Sequence, residues 1–354
     1  MELSLMFFGA DSGGSADRPA DHAATYEDIL AVAREADELG FAAVWTPERH
    51  FQEVGQVFPS PPVLSAALAV ATQRIMLRGG SVVLPLHHPL RVVEDWAVVD
   101  NLSRGRAGFS VATGWHSADF VLAPDRYADR RERALSDIPM LRRLWAGEAA
   151  EFTDGAGRSI SVRPQPTPVQ AALPLWLTTS GSPVTWETAG RLRTGVLGAT
   201  VGQSRGDLAD RIAGYRAAYA AAPDQPGTGP RGTVTLMAHT YVGTDDDTVR
   251  RRVEAPLKAY LASYVRQTSA NRGDRQGAAP LDDGQLKLLT EFAFQRYLTW
   301  GSLLGSPATC AKMLADLRDL GCDEVACFVD FGLGRDEVLA GLHRLAVLRK
   351  DLLA

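Results

Sequence analysis

Lysine is nearly absent from this 354-residue chain: only Lys258, Lys287, Lys312 and Lys350 occur, all in the last third. Schiff-base chemistry, which needs a side-chain amine, therefore has few candidates. Cysteine is scarce too. Cys310, Cys322 and Cys327 are an odd number without paired metal-ligand spacing, so they read as buried, reduced thiols rather than a metal site or disulfide framework. No run of basic residues stands out and the net charge is -5, which excludes the concentrated basic footprint of a nucleic-acid binder. No apolar run approaches 18 residues, and the N-terminus lacks the basic start of a signal peptide. A soluble, cytoplasmic protein is expected.

What is present is ordinary globular material. Hydrophobic residues make up 45% and charged residues 22%, enough for a large core and incompatible with bulk disorder. Short apolar runs alternate with stretches of helical periodicity. Strands are expected over 3–8, 42–45, 75–84, 108–112, 175–178, 195–200, 234–242 and 324–329. Helices are expected over 26–39, 61–72, 90–102, 130–145, 183–192, 208–222, 246–267, 285–298, 308–320 and 337–353, with a hairpin excursion at 151–162. Eight strands, most followed by a helix, predict an α/β chain folded as one (β/α)8 TIM barrel over 1–354. Insertions are expected at its C-terminal face, with a variable region near 223–300. A doubly wound sheet is the alternative, but the first loop, 9–14, does not fit G-x-G-x-x-G. The Pro- and Gly-containing stretch 223–232 reads as a linker, and 269–284 as a mobile loop.

In such a barrel the chemistry sits where strands end. After the second strand comes Thr46-Pro47-Glu48-Arg49-His50-Phe51. Charged groups and an imidazole ending a buried strand are costly unless used. His50 is the candidate for proton transfer. The bland reading is an ion pair of Glu48 with Arg49 or Arg91 and a packing role for His50. Strand three carries Gly79-Gly80-Ser81 and runs on to Leu86-His87-His88-Pro89. Its paired glycines suit either a flat ligand against the backbone or tight barrel packing. Strand four ends at Thr113-Gly114-Trp115-His116. After strand five, Thr179-Ser180-Gly181-Ser182-Pro183 opens a helix, and these hydroxyls fit either an anion, most naturally phosphate, or simple N-capping.

These residues resemble the bacterial-luciferase-like flavin monooxygenases. Glu48-Arg49-His50-Phe51 is similar to the family's E-H-H-F segment. The likeness continues through Arg74-Ile75-Met76-Leu77, Val82-Val83-Leu84-Pro85, His88-Pro89 and Glu94-Asp95-Trp96. Further along it includes Leu102-Ser103-Arg104-Gly105-Arg106, Gly114-Trp115, Pro174-Leu175-Trp176-Leu177, Gly202-Gln203-Ser204 and Gly305-Ser306-Pro307. It covers nearly the whole chain, least between about 223 and 295, and looks most like the branch found in nonribosomal-peptide and polyketide biosynthesis. The resemblance implies a (β/α)8 barrel that receives reduced FMN from a separate flavin reductase and activates O2. The substrate would be a small natural-product intermediate, free or tethered to a carrier protein, and the assembly a homodimer.

By the same resemblance Gly80 and Ser81 would pass under the flavin, with a non-proline cis peptide between them. Thr113, Gly114 and Trp115 would flank it, and Ser180, Gly181 and Ser182 would hold its phosphate. His50 and His88 would be catalytic at the edge where oxygen adds. No metal is implied. Two positions depart from the family: its first histidine is Arg49 here, and a phosphate-binding arginine after strand four is Thr113. A deazaflavin hydride-transfer enzyme and a non-catalytic partner subunit are the competing readings. Loops 9–14, 52–59 and 269–284 would set the substrate.

Overall fold

The computed structural model describes residues 1–9, 21–51, 55–276 and 281–353. Eight parallel strands close a barrel: β1 (Glu2–Met6), β2 (Ala43–Thr46), β3 (Met76–Val83), β4 (Ala107–Ala112), β7 (Leu175–Thr178), β8 (Gly195–Ala199), β9 (Val234–Val242) and β11 (Glu324–Phe328). The circle is completed by β8 pairing with β9, β9 with β11, and β11 with β1. Between β4 and β7 an antiparallel hairpin, β5 (Ala150–Thr153) and β6 (Ser159–Val162), stands outside the barrel. The expected (β/α)8 architecture is therefore the one observed. Among the described residues no helix is long and apolar enough to cross a membrane.

Helices α1 (His22–Leu39), α2 (Pro61–Ala71), α3 (Pro89–Ser103), α4 (Arg130–Trp145), α5 (Pro183–Arg191), α6 (Arg205–Ala221), α9 (Pro307–Asp319) and α10 (Arg335–Leu353) surround the strands. Local signals set their ends. Gly40 terminates α1 in the left-handed conformation, and a reciprocal capping box, Ser204 with Asp207, starts α6 three residues before its apolar periodicity begins. Two expectations need correction. Residues 269–276, read as loop, continue helix α7 (Asp246–Gln276), while 277–280 lie outside the described residues. A strand not foreseen, β10 (Leu303–Gly305), pairs with the far half of β9 after α7 and α8 (Asp283–Thr299) have made their excursion.

The barrel is a packed core. Near the N-terminal ends of the strands, Glu324 is paired with Arg78 at 2.6 Å and accepts from Ser4 Oγ at 2.6 Å and Trp45 Nε1 at 3.0 Å. Trp45 meets Trp176 edge-on at 5.1 Å. A Cβ on Gly195 would lie 2.4 Å from the Trp176 ring, so only glycine fits beneath it. Filling this end leaves the opposite face, onto which every loop after a strand opens, as the place for a site.

Candidate active site

The loop after β2 builds a carboxylate clamp. The Glu48 side chain is fully buried. Its Oε2 accepts the Val83 N–H at 2.6 Å, and its Oε1 meets His50 Nε2 at 3.0 Å and His87 Nε2 at 2.6 Å. Burial alone would raise the Glu48 pKa, but the hydrogen bonds from His50 and His87, the charge of His87 and the Val83 N–H outweigh it. The carboxyl is held below its usual 4.5. Burial likewise works against His87, yet its bond to Glu48 wins and raises its pKa above 6.5. With Nε2 committed to Glu48, His50 keeps Nδ1 as the atom able to exchange a proton, and among the described residues nothing bonds to it.

His50 therefore sits at the C-terminal face, but its histidine neighbour there is not the one expected. His88 is exposed, its Nδ1 accepts the Leu90 N–H at 3.3 Å to cap α3, and its ring lies 5.3 Å from Phe152 of the hairpin. His87, missed by the sequence reading, joins the clamp instead. The signal was available: Pro89 at the first position of a helix makes the preceding residue its N-cap. The ion pair of Glu48 with Arg49 or Arg91 does not form either. Arg91 bonds Asp95 at 2.6 Å, and Arg49 is buried with its guanidinium 4.0 Å from the centre of the Phe8 ring.

Across the face, β3 bulges between Gly80 and Val82, with a cis peptide between Gly80 and Ser81. A Cβ on Gly80 would come within 2.9 Å of the Trp45 ring, so tight packing requires the small residue there. Ser81, Thr178 and Ser110 form a chain of hydroxyls from three neighbouring strands, each contact 2.5 Å. Beyond β4, Thr113 is half-buried. Gly114, at φ +77°, packs so closely on Phe120 that a Cβ would lie 2.6 Å from the ring, and its carbonyl accepts from Arg130 Nε at 3.1 Å. Trp115 is 40% exposed, and its ring lies 3.7 Å from that of His116, tilted by 46°.

The turn after β7 distinguishes its two readings. Thr179 Oγ1 accepts the Gly181 N–H at 3.1 Å, which shapes the turn. Ser182 stands at the N-cap position of α5, but its side chain makes no cap bond. Among the described residues the Ser180 and Ser182 hydroxyls have no hydrogen-bond partner, and Gly181 adopts φ +110°. Simple capping is therefore not what these hydroxyls do. Free hydroxyls at the positive end of a helix fit a flavin phosphate.

His239, on β9 and in register with Phe328, was not singled out by sequence. The rings of Phe328, Tyr297, Tyr260 and Phe331 lie 4.3, 4.7, 5.1 and 5.6 Å from it, and burial lowers its pKa to about 3, so it is neutral. Neither ring nitrogen has a hydrogen-bond partner among the described residues. Together these rings form a buried aromatic cluster around the C-terminal end of β11.

A closed barrel carries a buried carboxylate bridged to two histidines and a hydroxyl-bearing turn after β7, and the comparison with known families states its class. Residues 1–324 match the luciferase-like monooxygenase family, and the chain belongs to that family of flavin-dependent enzymes. It is 24% identical over 331 residues to the oxygenase component of the flavin-dependent trigonelline monooxygenase of Acinetobacter baylyi, covering 90% of this chain and 88% of that one. Two solved structures share the fold. Monooxygenase RslO1 from Streptomyces bottropensis matches at TM-score 0.77 and 23% identity over 100% of both chains. The oxygenating constituent of 3,6-diketocamphane monooxygenase from Pseudomonas putida, in complex with FMN, matches at TM-score 0.74 and 18% identity over 98% of this chain and 96% of that one.

Proposed function

We propose that this chain is the oxygenase of a two-component system, taking reduced FMN from a separate reductase and transferring one oxygen atom from O2 to a natural-product intermediate, free or carrier-bound. The observation that carries this reading is the His50–Glu48–His87 clamp, placed on the same barrel face as the uncommitted Ser180 and Ser182 hydroxyls. The relative named as an oxygenase component supports the two-component arrangement, and the FMN-bound neighbour supports the cofactor.

Reduced FMN, when bound, supplies the electrons that activate dioxygen. Ser180, Gly181 and Ser182 would hold its phosphate at the N-terminus of α5. The backbone of Gly80 and Ser81 and the hydroxyls of Ser81, Thr178 and Ser110 would lie along the ring, with Thr113, Gly114 and Trp115 at its flank. His50 holds or delivers a proton at Nδ1, while Glu48 fixes its tautomer through Nε2 and His87 keeps Glu48 ionised. His239 and the rings around it exclude water from one side.

The test is anaerobic mixing of the protein with reduced FMN, then with oxygen, following the return of oxidised-flavin absorbance. The protein should bind reduced FMN and change the rate of that return relative to free FMN, with His50→Ala shifting it back. Binding of a reduced deazaflavin in place of FMN, with no oxygen uptake, would assign the chain to hydride transfer and overturn the proposal.

A further inference from the structure

The turn at 179–182 offers neutral donors, whereas a flavin phosphate is an anion, and Thr113 stands where an arginine could have answered it. Two guanidinium groups lie near the start of α5, one against the turn itself and one against Thr185. Arg211 projects from α6, and a Cβ built on Gly181 would lie 3.5 Å from its Nη1. That nitrogen donates to Gln203 Oε1, while Gln203 Nε2 donates to the Ala199 carbonyl at 2.5 Å. Gln203 is buried, so the guanidinium is tethered through it to the end of β8. Among the described residues no carboxylate forms an ion pair with Arg211. Asp207, one turn earlier on the helix, is committed to Ser204 Oγ at 2.7 Å, and the adjacent Asp210 forms no ion pair with Arg211 among the described residues. Arg131 of α4, by contrast, is exposed and bonds only the neutral Thr185 Oγ1 at 3.1 Å.

We propose that Arg211 is the cation that reads the phosphate of FMN, with Gln203 as its positioning residue. The inference rests on the flavin reading above and goes beyond it by predicting how the chain tells FMN from riboflavin. A half-buried, pre-oriented guanidinium without a competing acid needs little rearrangement to meet a phosphate oxygen, and its fork geometry suits one. An exposed arginine must first be ordered and is screened by salt.

The experiment titrates anaerobically reduced FMN and reduced riboflavin into the protein, read by quenching of tryptophan fluorescence. Arg211→Gln should weaken FMN about 10- to 100-fold, as loss of a charge-assisted bond does, and leave riboflavin unchanged. Arg211→Lys, which keeps the charge and the fold, should fall between the two, and Gln203→Ala should lose part of the same preference. Arg131→Gln should move FMN affinity by less than about threefold. The proposal is overturned by an Arg211→Gln protein that binds FMN like the parent, by parallel losses of FMN and riboflavin, or by a loss confined to Arg131→Gln. A parent protein that binds neither flavin would refute the flavin reading itself, a result distinct from all of these.

Discussion

Replacing Glu48 by glutamine removes one charge and leaves the shape of the side chain. In the parent, a fully buried carboxylate receives three hydrogen bonds, from Val83 N–H, His50 and His87. A glutamine oxygen can still accept from Val83, but its amide group presents donors towards two imidazole nitrogens that had been donating. One contact must be lost and the other inverted. Bonds to charged groups are worth about 1.5–3 kcal/mol each, and stripping a buried pair of one partner costs about 3–5 kcal/mol, so a destabilisation of roughly 2–4 kcal/mol is expected. For a chain of this size that corresponds to a fall in Tm of roughly 3–5 °C by calorimetry.

The loss should depend on pH, and its sign follows from the two shifts. The contribution of Glu48, whose folded-state pKa is lowered, is complete above 4.5 and disappears as pH falls through the lowered value. The contribution of His87, whose folded-state pKa is raised, is complete below 6.5 and disappears as pH rises through the raised value. The gap between parent and variant should therefore be widest between pH 4.5 and 6.5, and narrow as pH rises through the raised His87 value and as it falls through the lowered Glu48 value. In the variant, the His87 imidazole resonances should titrate at lower pH. A gap that is absent, or constant from pH ~5 to ~9, would refute the clamp as a charged pair.

Three other perturbations probe the same face. His50→Ala should leave the fold and FMN binding intact while product formation falls by about 10²–10⁴-fold and most of the oxygen consumed appears as hydrogen peroxide; unchanged coupling would make His50 a packing residue. Replacing both Ser180 and Ser182 with alanine should weaken FMN by roughly 1–3 kcal/mol in an equilibrium titration. An unchanged affinity in a folded double variant would remove these hydroxyls from the site. Gly80→Ala drives a methyl to 2.9 Å from Trp45 and should lower stability by about 1–3 kcal/mol in a denaturant titration, a cost that no loss at the rim alone would produce.

Most of the barrel was legible because its signals are local and strong. The helix Arg130–Trp145 and the strands Leu175–Thr178 and Val234–Val242 fall where periodicity placed them. The strand Leu303–Gly305 could not be seen, since three residues cannot display alternation and its partner on β9 lies 63 positions earlier in the chain, Leu303 opposite Thr240. The continuation of α7 through 269–276 was misread from polar composition. A single glycine there, Gly273, costs only about 1 kcal/mol and does not stop a helix. At the candidate site, the positions of Glu48 and His50 followed from strand ends. The choice between His87 and His88 required knowing which side chain the helix start had already claimed. His239 gave no signal at all, because a lone histidine in a strand reads like any other buried residue until the rings from α7, α8 and β11 close around it.

Strand β9 has a consequence for how such a molecule diversifies. Its first half is barrel wall, but its last residues, Thr240 to Val242, are matched by Leu303 to Gly305, and the Gly243 N–H closes on the Gly305 carbonyl at 3.0 Å. The chain thus departs and returns through the same buckle, and everything between is a handle fastened at both ends to one strand. Because closure cost rises only slowly with loop length, the span between the two fastenings can vary in length at modest entropic cost, provided the buried faces of α7 and α8 still pack on the core. The Glu48–His50–His87 contacts and the 179–182 turn are carried by other strands, so changes on the outward faces of α7 and α8 leave them in place.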